Sequence, residues 1–341
     1  MSESEARLEV GIIGMGWIGR QHVETLARRK DVAIAAVCDT DLSRAEEVGG
    51  VTGATAFDDW REMLATTSLD AVWVCTPPLA HKEPAVAVLE RGVSLYLEKP
   101  IARRMRDARA IVAAAEAPGA PPCAVGHQWH ALDVLDDLRG HLAGQTVGLM
   151  LGQSIGPTVS RPWFLNRTEG GGNLLERGSH HIDLVRLVAG EVGAVQAASG
   201  RMKLSGREEG DIDDVVTLLL HLESGALATI VVGWTKDDLP GIYRLDVAAS
   251  EAMCHLELDP AFRVTGVSRG EPIDATSREH PFSRSQSLFL RAVRRNDPEA
   301  VACRPSDAMR TLAVALAAEE ALAGGKTVEV PSLSPGEMQE G

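Results

Sequence analysis

The glycine pattern GMGWIG at positions 14–19 constrains the fold more than any other feature of this chain. It begins where the apolar run 8–14 ends, and it opens the segment 17–30, whose apolar residues follow helical spacing. The next apolar run, 32–39, ends on Asp39. A strand, a glycine turn, a helix and a second strand with a terminal carboxylate form the setting in which G-x-G-x-x-G is typical of dinucleotide binding.

Each glycine of this pattern has a predicted role. Gly14 permits a tight turn, Gly16 lets the backbone approach a pyrophosphate, and Gly19 lets the helix lie close to the strand. Asp39 can accept hydrogen bonds from ribose hydroxyls and would repel a 2′-phosphate, so we expect NAD rather than NADP. A glycine-rich turn that binds no ligand, with Asp39 as a simple turn residue, is the alternative at this point.

Strand-like and helix-like segments alternate through the first third of the chain. Short connections between them predict a doubly wound parallel sheet with helices on both faces. We therefore expect a dinucleotide-binding domain over 1–126 and a second, α+β domain over 127–332. In the second domain several strand-like runs occur, two of them joined by the turn ESGA at 223–226. The helix predicted at 306–323 is a candidate for packing back on the first domain.

Composition excludes several classes of protein. The chain has 341 residues and a formal net charge of −14, and it lacks a lysine and arginine cluster, so nucleic acid is not an expected partner. We expect no membrane association, because no apolar run approaches the roughly 20 residues that cross a bilayer. The start is polar and acid-rich, unlike a signal peptide, and the five cysteines form no C-x-x-C pair, which together favour a reduced, cytoplasmic protein.

An ordered set of motifs resembles the glucose–fructose oxidoreductase and inositol dehydrogenase (Gfo/Idh/MocA) family of NAD(P)-dependent oxidoreductases. The motifs are GIIGMGWIG, VWVCTPPLAH at 72–81, YLEKPIA at 96–102 and GGGNLLERGSHHIDL at 170–184. The resemblance implies an N-terminal Rossmann domain and a C-terminal α+β domain with a large, mainly antiparallel sheet. It also implies oligomer contacts through the outer face of that sheet, so a homodimer or homotetramer is expected.

The resemblance assigns chemistry to Lys99 of the motif EKP and to the motif around His180. In the family this lysine points at the substrate and the nicotinamide, where an ammonium would stabilise alkoxide character. The family pattern D-x-G-x-H-x-x-D is present here with Glu176 in its first position and Asp183 in its last. It implies that His180 is the acid/base, a role that suits imidazole, and that Glu176 orients substrate or histidine. Surface positions for these side chains are the alternative.

A metal site is not expected in the same stretch. His180 and His181 are adjacent, about 100° apart around a helix, so they do not easily share one ion. His181, His127, Trp129 and Trp163 either line the substrate site or pack in the core. The predicted substrate contacts are Lys99, His127, Trp129, Trp163, Glu176, His180 and His181. The predicted cofactor contacts are Gly14, Met15, Gly16, Trp17, Ile18, Gly19, Asp39, Thr76, Pro77, His81, Glu98 and Lys99.

The function expected from this reasoning is an NAD-dependent dehydrogenase of a sugar, inositol or related polyol. Two alternatives belong to other classes. One is a non-catalytic, regulatory protein that binds a dinucleotide, and the other is a lyase or hydrolase that uses bound NAD transiently. Steady-state formation of NADH distinguishes the dehydrogenase from both alternatives.

Overall fold

The computed structural model describes residues 6–157, 162–204, 210–236 and 238–333. The chain divides into two compact units. One contains the described residues up to Gly126 together with Ser285–Met309, and the other contains His127–Arg284 and the described residues from Arg310. Ser285–Met309 thus groups with the first unit, and the expected domains over 1–126 and 127–332 stay a prediction.

The elements follow one another along the chain with short connections. The strands are β1 (Leu8–Ile13), β2 (Val32–Cys38), β3 (Thr55–Phe57), β4 (Ala71–Val74), β5 (Ser94–Leu97), β6 (Cys123–Val125), β7 (Val147–Pro157), β8 (Val192–Gly200), β9 (Val215–Leu222), β10 (Leu227–Thr235), β11 (Ile242–Ala249), β12 (Ala252–Glu257), β13 (Arg263–Ser268), β14 (Glu271–Thr276) and β15 (Val328–Glu329). The helices are α1 (Trp17–Ala27), α2 (Leu42–Thr52), α3 (Trp60–Thr66), α4 (Lys82–Glu90), α5 (Met105–Ala115), α6 (Val134–Leu142), α7 (Ser179–Ala189), α8 (Pro281–Arg295) and α9 (Pro305–Gly324).

The first unit is built on a parallel sheet with the strand order β3-β2-β1-β4-β5-β6. The order reverses between β1 and β4, which is the point where sheets of this kind bind nucleotides. β4 and β5 are buried along their whole length, as expected for parallel strands covered on both faces. The sequence did not predict β3 and α3, which are too short for a periodic pattern.

An aromatic cluster forms part of the core of the first unit. Trp73 of β4 stacks on Tyr96 of β5, with ring centroids 5.7 Å apart. Phe289 of α8 meets both rings edge to face, at 5.2 and 5.5 Å. All three side chains are fully buried, so a residue distant in sequence completes this core.

The second unit contains a large sheet with the strand order β14-β13-β12-β11-β7-β10-β9-β8-β15. Within this sheet β7 and β10 are the one parallel pair among the described strands, and the other described neighbours are antiparallel. Burial alternates residue by residue along β9, as in a strand with one covered and one open face. The two sheets confirm the predicted fold class. No helix in the described part of the chain is long and apolar enough to cross a membrane.

Candidate cofactor and active sites

The glycine loop between β1 and α1 has the geometry of a dinucleotide turn. Gly14 has a φ of 97°, and a Cβ there would lie 2.8 Å from the carbonyl carbon of Cys75. A Cβ on Gly19 would lie 1.9 Å from the Gly14 carbonyl oxygen, so only glycine lets α1 approach the strand. At Gly16 a Cβ would meet nothing within 4 Å, which leaves the loop open on its outer side.

The residues of this loop fit the pyrophosphate of NAD. α1 begins after Gly16, which has no side chain to cap it, and the start of a helix is where backbone N–H groups and the helix dipole favour an anion. Met15 is buried, Ile18 is half-buried, and Trp17 is exposed at the start of the helix. The open space beside Gly16 is where a phosphate could approach the backbone.

Asp39, at the end of β2, hydrogen-bonds the glycine loop directly. Its Oδ2 accepts the Met15 N–H at 2.7 Å, and its Oδ1 accepts the Asp41 N–H at 3.0 Å. The side chain is only half-buried. Because an ionised carboxylate can accept about four hydrogen bonds, acceptor positions are left for ribose hydroxyls. Asp39 therefore has a structural task in addition to the predicted contact with the cofactor.

His81 connects the loops that follow β4 and β5. Its Nε2 lies 2.8 Å from the Thr76 carbonyl oxygen, and its Nδ1 lies 3.2 Å from the Ile101 carbonyl oxygen. The ring is fully buried, and burial lowers the pKa of His81 against the opposing effect of these carbonyls. His81 thus shapes the loops, whereas Pro77 is exposed and Thr76 Oγ1 is buried without a hydrogen-bond partner in the described structure.

Lys99 follows β5 at the carboxyl end of the parallel sheet and is partly exposed. The preceding Glu98 is buried, with its Oε1 2.9 Å from Nε2 of His22 on α1. Its Oε2 accepts the Lys99 N–H at 3.1 Å. Burial raises the pKa of Glu98, but the hydrogen bond and charge of His22 and the charge of Lys99 outweigh it, so the pKa lies below its usual range. Glu98 is therefore ionised inside the unit.

In the second unit, Glu176 and His180 lie on either side of a change in helix type. The segment Leu174–Gly178 is a π-helical turn that continues directly into α7. The sequence analysis placed His180 and His181 on an ordinary helix, and α7 is one, but the turn that precedes it is not. A π turn carries hydrogen bonds from residue i to i+5, is rare, and occurs frequently at functional sites. Its wider turn changes how the side chains of 174–178 project relative to those of α7.

The ring of His180 lies among other rings of the second unit and is partly exposed. Its centroid is 5.0 Å from the ring centroid of Trp129 and 6.0 Å from that of His127. Both neighbours come from the segment GHQWH and are buried. Glu176 is also partly exposed. The structure thus brings together three of the predicted substrate contacts, His127, Trp129 and His180.

Asp183, one turn after His180, is the centre of a buried polar network. It lies within hydrogen-bonding or ion-pair distance of His130 Nε2 (3.0 Å) and accepts the hydroxyl of Thr311 at 2.8 Å. His127 Nδ1 and Arg186 Nη1 each lie 3.8 Å from its carboxylate oxygens. Burial raises the pKa of Asp183, but the charges of His130, His127 and Arg186 hold it well below its usual range.

His181 and Trp163 lie in packed surroundings. His181 is fully buried, its Nε2 is 3.2 Å from the Arg244 carbonyl oxygen, and a Cβ on Gly152 would lie 2.9 Å from its ring. Burial lowers its pKa to about 4, so the ring is neutral near pH 7. Trp163 is half-buried and stacks on Phe164, with centroids 4.0 Å apart. These positions favour packing over the alternative of substrate contact.

The sequence analysis missed His22 and the network of Asp183. His22 lies on the buried face of α1 with Gly19, Val23 and Leu26. A histidine in the apolar stripe of a helix signals a buried polar partner, because buried polar groups need hydrogen bonds. That signal was present in the sequence, but the partner, Glu98, is 76 positions away.

Two family models match the chain. Residues 8–127 match the model described as "Oxidoreductase family, NAD-binding Rossmann fold", and residues 148–253 match the "GFO/IDH/MocA C-terminal domain". The chain belongs to the Gfo/Idh/MocA family of oxidoreductases. The predictions of the family, of an enzyme and of NAD as cofactor are thereby confirmed.

Several named relatives of this family member are dehydrogenases. An inositol 2-dehydrogenase from Arthrobacter sp. (strain FB24) is 30% identical, and the match covers 66% of each chain. A D-apiose dehydrogenase from Paraburkholderia graminis is 26% identical, over 96% of this chain and 91% of that one. The structure of levoglucosan dehydrogenase with NADH and levoglucosan has a TM-score of 0.84 and 18% identity, over 96% of this chain and 100% of the other. At this level of identity, the comparison with levoglucosan dehydrogenase shows a shared fold only.

Proposed function

We propose that this oxidoreductase transfers a hydride between a hydroxyl carbon of a sugar, inositol or related polyol and the nicotinamide of NAD. The observation that carries the proposal is the setting of His180: a partly exposed imidazole, beside a π turn, in contact with Trp129 and near His127. An imidazole can exchange a proton near neutral pH, and an aromatic ring can pack on the C–H face of a polyol. The names of the relatives support the same substrate class.

In this proposal NAD supplies the hydride acceptor, and the protein handles the hydroxyl proton. His180 takes that proton as the C–H bond breaks, and Lys99 stabilises negative charge on the same oxygen. Glu176 orients the substrate or the imidazole. Since the base must be unprotonated, the rate of oxidation is expected to rise with pH, whereas the rate of reduction falls.

The test is NADH absorbance during incubation with NAD and a panel of inositols, monosaccharides and sugar acids. On the substrate found, His180→Ala and Lys99→Met are each expected to lower kcat at least about a hundredfold. The matched controls are His141→Ala on α6 and Lys30→Met, which is exposed after α1; both are expected to keep normal kcat. A normal kcat in His180→Ala would remove this residue as the base.

Binding measurements separate this function from its alternatives. Glu176 and His180 belong to a different unit from the glycine loop, so their double alanine variant is expected to bind NADH nearly normally while it loses turnover. NADH binding by the wild type without turnover of any substrate would favour the regulatory protein. Product formation without net NADH would favour the lyase or hydrolase.

We also propose that the protein is a cytoplasmic homodimer or homotetramer. All five cysteines are buried free thiols, as expected in a reducing compartment. On the open face of the large sheet, the register aligns exposed apolar side chains of neighbouring strands. They are Leu149, Leu151, Leu227, Met253 and Val267. A contiguous exposed apolar patch favours contact with another protein surface, here a second copy of this chain.

A further inference from the structure

The carboxylate of Glu98 is held from three directions within the first unit. His22 on α1 approaches its Oε1 at 2.9 Å, and the Lys99 N–H donates to its Oε2 at 3.1 Å. The third side is Gly126, after β6, where a Cβ would lie 2.9 Å from Oε1 and 3.2 Å from Oε2. Only a hydrogen atom fits between Gly126 and the carboxylate, so Glu98 has little room to move.

The charge of Glu98 determines that His22 donates to it. Glu98 is ionised and buried, and an ionised carboxylate can only accept hydrogen bonds. His22 Nε2, at 2.9 Å from Oε1, is therefore the donor of this hydrogen bond. His22 is itself fully buried, with its ring in edge contact with Tyr96 at a centroid distance of 5.2 Å. Its orientation is thus fixed by packing as well as by the hydrogen bond.

The two hydrogen-bond donors to Glu98 belong to different parts of the proposed active site. His22 belongs to α1, the helix whose first turn follows the glycine loop. The other donor is the backbone of Lys99, the candidate for stabilising the reacting oxygen. One buried carboxylate therefore connects the helix of the cofactor loop to the residue that follows β5.

We propose that His22 and Glu98 are positioning residues that fix the backbone of Lys99 relative to the cofactor helix. This inference rests on the proposed role of Lys99. Its physical reason is that a displacement of about 1 Å at a reacting group can cost about a hundredfold in rate. Neither residue contacts the substrate in this proposal, and both act through Lys99.

The test compares variants that keep or remove single hydrogen bonds. Glu98→Gln keeps the shape but puts a donating NH2 in place of one of the two oxygens that His22 and the Lys99 N–H approach. His22→Leu removes the donor, whereas His22→Gln can place an amide N–H near the position of Nε2. Gly126→Ala displaces the carboxylate and leaves the side chains of His22, Glu98 and Lys99 themselves unchanged. Glu24→Gln is the control, since Glu24 is an exposed residue of α1 paired with exposed Arg28.

We expect kcat to fall at least about tenfold in Glu98→Gln, His22→Leu and Gly126→Ala, and to stay within about threefold of the wild type in His22→Gln and Glu24→Gln. Hydrogen–deuterium exchange of the Lys99 amide is expected to accelerate in the first three variants and not in the last two. Exchange at the Lys99 amide measures the local stability of the backbone without requiring turnover. Faster exchange at this amide alone therefore indicates a loss of positioning, whereas faster exchange throughout the protein indicates a loss of the fold. Thermal unfolding of each variant identifies the temperature range in which it is folded.

The outcomes distinguish this inference from the proposed function. If Lys99→Met lowers kcat but folded His22→Leu and Glu98→Gln do not, the positioning role is wrong and the role of Lys99 stands. If Lys99→Met has normal kcat, the proposed role of Lys99 is wrong, and the positioning role that rests on it is wrong as well. Equal loss of kcat in His22→Gln and His22→Leu, with unchanged Lys99 exchange, would also contradict the positioning role.

Discussion

At the scale of single residues, burial separates histidines that look alike in the sequence. His22, His81 and His181 are fully buried, and their ring nitrogens face a carboxylate or backbone carbonyls. His180 is partly exposed and is surrounded by rings. An imidazole that exchanges protons with a substrate must be accessible, so the structure favours His180 over its neighbour His181 for that role.

Asp39 bonds the glycine loop and is also the predicted partner of the cofactor ribose. Its carboxylate accepts the Met15 N–H of the glycine loop and has acceptor positions left for a ribose. We predict that the wild type binds NADH more tightly than NADPH, because a 2′-phosphate is repelled by this charge. Asp39→Ala is expected to weaken NADH binding and to erode the preference, as titrations of both cofactors by fluorescence would measure.

Asp70 provides the matched control for Asp39. Its Oδ2 also accepts a backbone N–H, that of Glu9, at 2.7 Å, but at the opposite end of the parallel sheet. Asp70→Ala is therefore expected to leave the ratio of the two affinities unchanged. Equal or tighter binding of NADPH by the wild type would contradict the prediction for Asp39.

At the scale of elements, α7 is fixed to its unit by Asp183. The carboxylate is reached by His130 from the segment after β6 and by Thr311 from α9. Arg186, on α7 itself, donates to Thr311 at 2.7 Å and pairs with Glu191. The helix that carries His180 is thus held by buried polar contacts to two other segments.

The lowered pKa of Asp183 predicts a pH-dependent contribution to stability. A carboxyl whose pKa is lower in the folded state stabilises the fold above its unfolded pKa, about 4, and the contribution is lost as pH falls further. We expect Asp183→Asn to lower the free energy of unfolding by about 3 kcal/mol at pH 7, with a smaller difference at pH 3. Urea denaturation at both pH values measures this.

Asp136→Asn on α6 is the control for that experiment, because Asp136 forms an exposed ion pair with Arg139. Exposed pairs contribute little, so its unfolding free energy is expected to stay within about 1 kcal/mol of the wild type. A difference for Asp183→Asn that is the same at pH 7 and pH 3 would show that the carboxylate charge does not account for the effect.

At the scale of the whole molecule, the open face of the large sheet predicts self-association. Leu151 of β7 is 41% exposed and lies two residues along the strand from Leu149 of the apolar patch. We predict that the wild type is a dimer or tetramer and that Leu151→Lys dissociates it, since burying an unpaired ammonium is costly. Light scattering after size-exclusion chromatography gives the mass. Val51→Lys on α2, where Val51 is 83% exposed, is expected to leave the mass unchanged, and a monomeric wild type would refute the assembly.

The sequence by itself determined the fold class and the elements that carry the motifs. Periods of apolar residues identify strands and helices of ordinary length, and glycine spacing reports backbone geometry, because Gly14 and Gly19 each stand where a Cβ would collide. The cofactor could also be predicted from the sequence, because the glycine loop and a carboxylate close to it in the chain define the predicted site. These features depend on residues close together in the chain.

Only the tertiary structure decided which polar groups meet across long stretches of chain. His22 pairs with Glu98, Asp183 with Thr311, and Phe289 of α8 completes an aromatic core begun by β4 and β5. No local pattern encodes these partners, because a hydrogen bond or ring contact depends on the path of the backbone between them. The π turn at Leu174–Gly178 was equally hidden, since its residues satisfy the spacing of an ordinary helix and only the backbone hydrogen bonds distinguish the two.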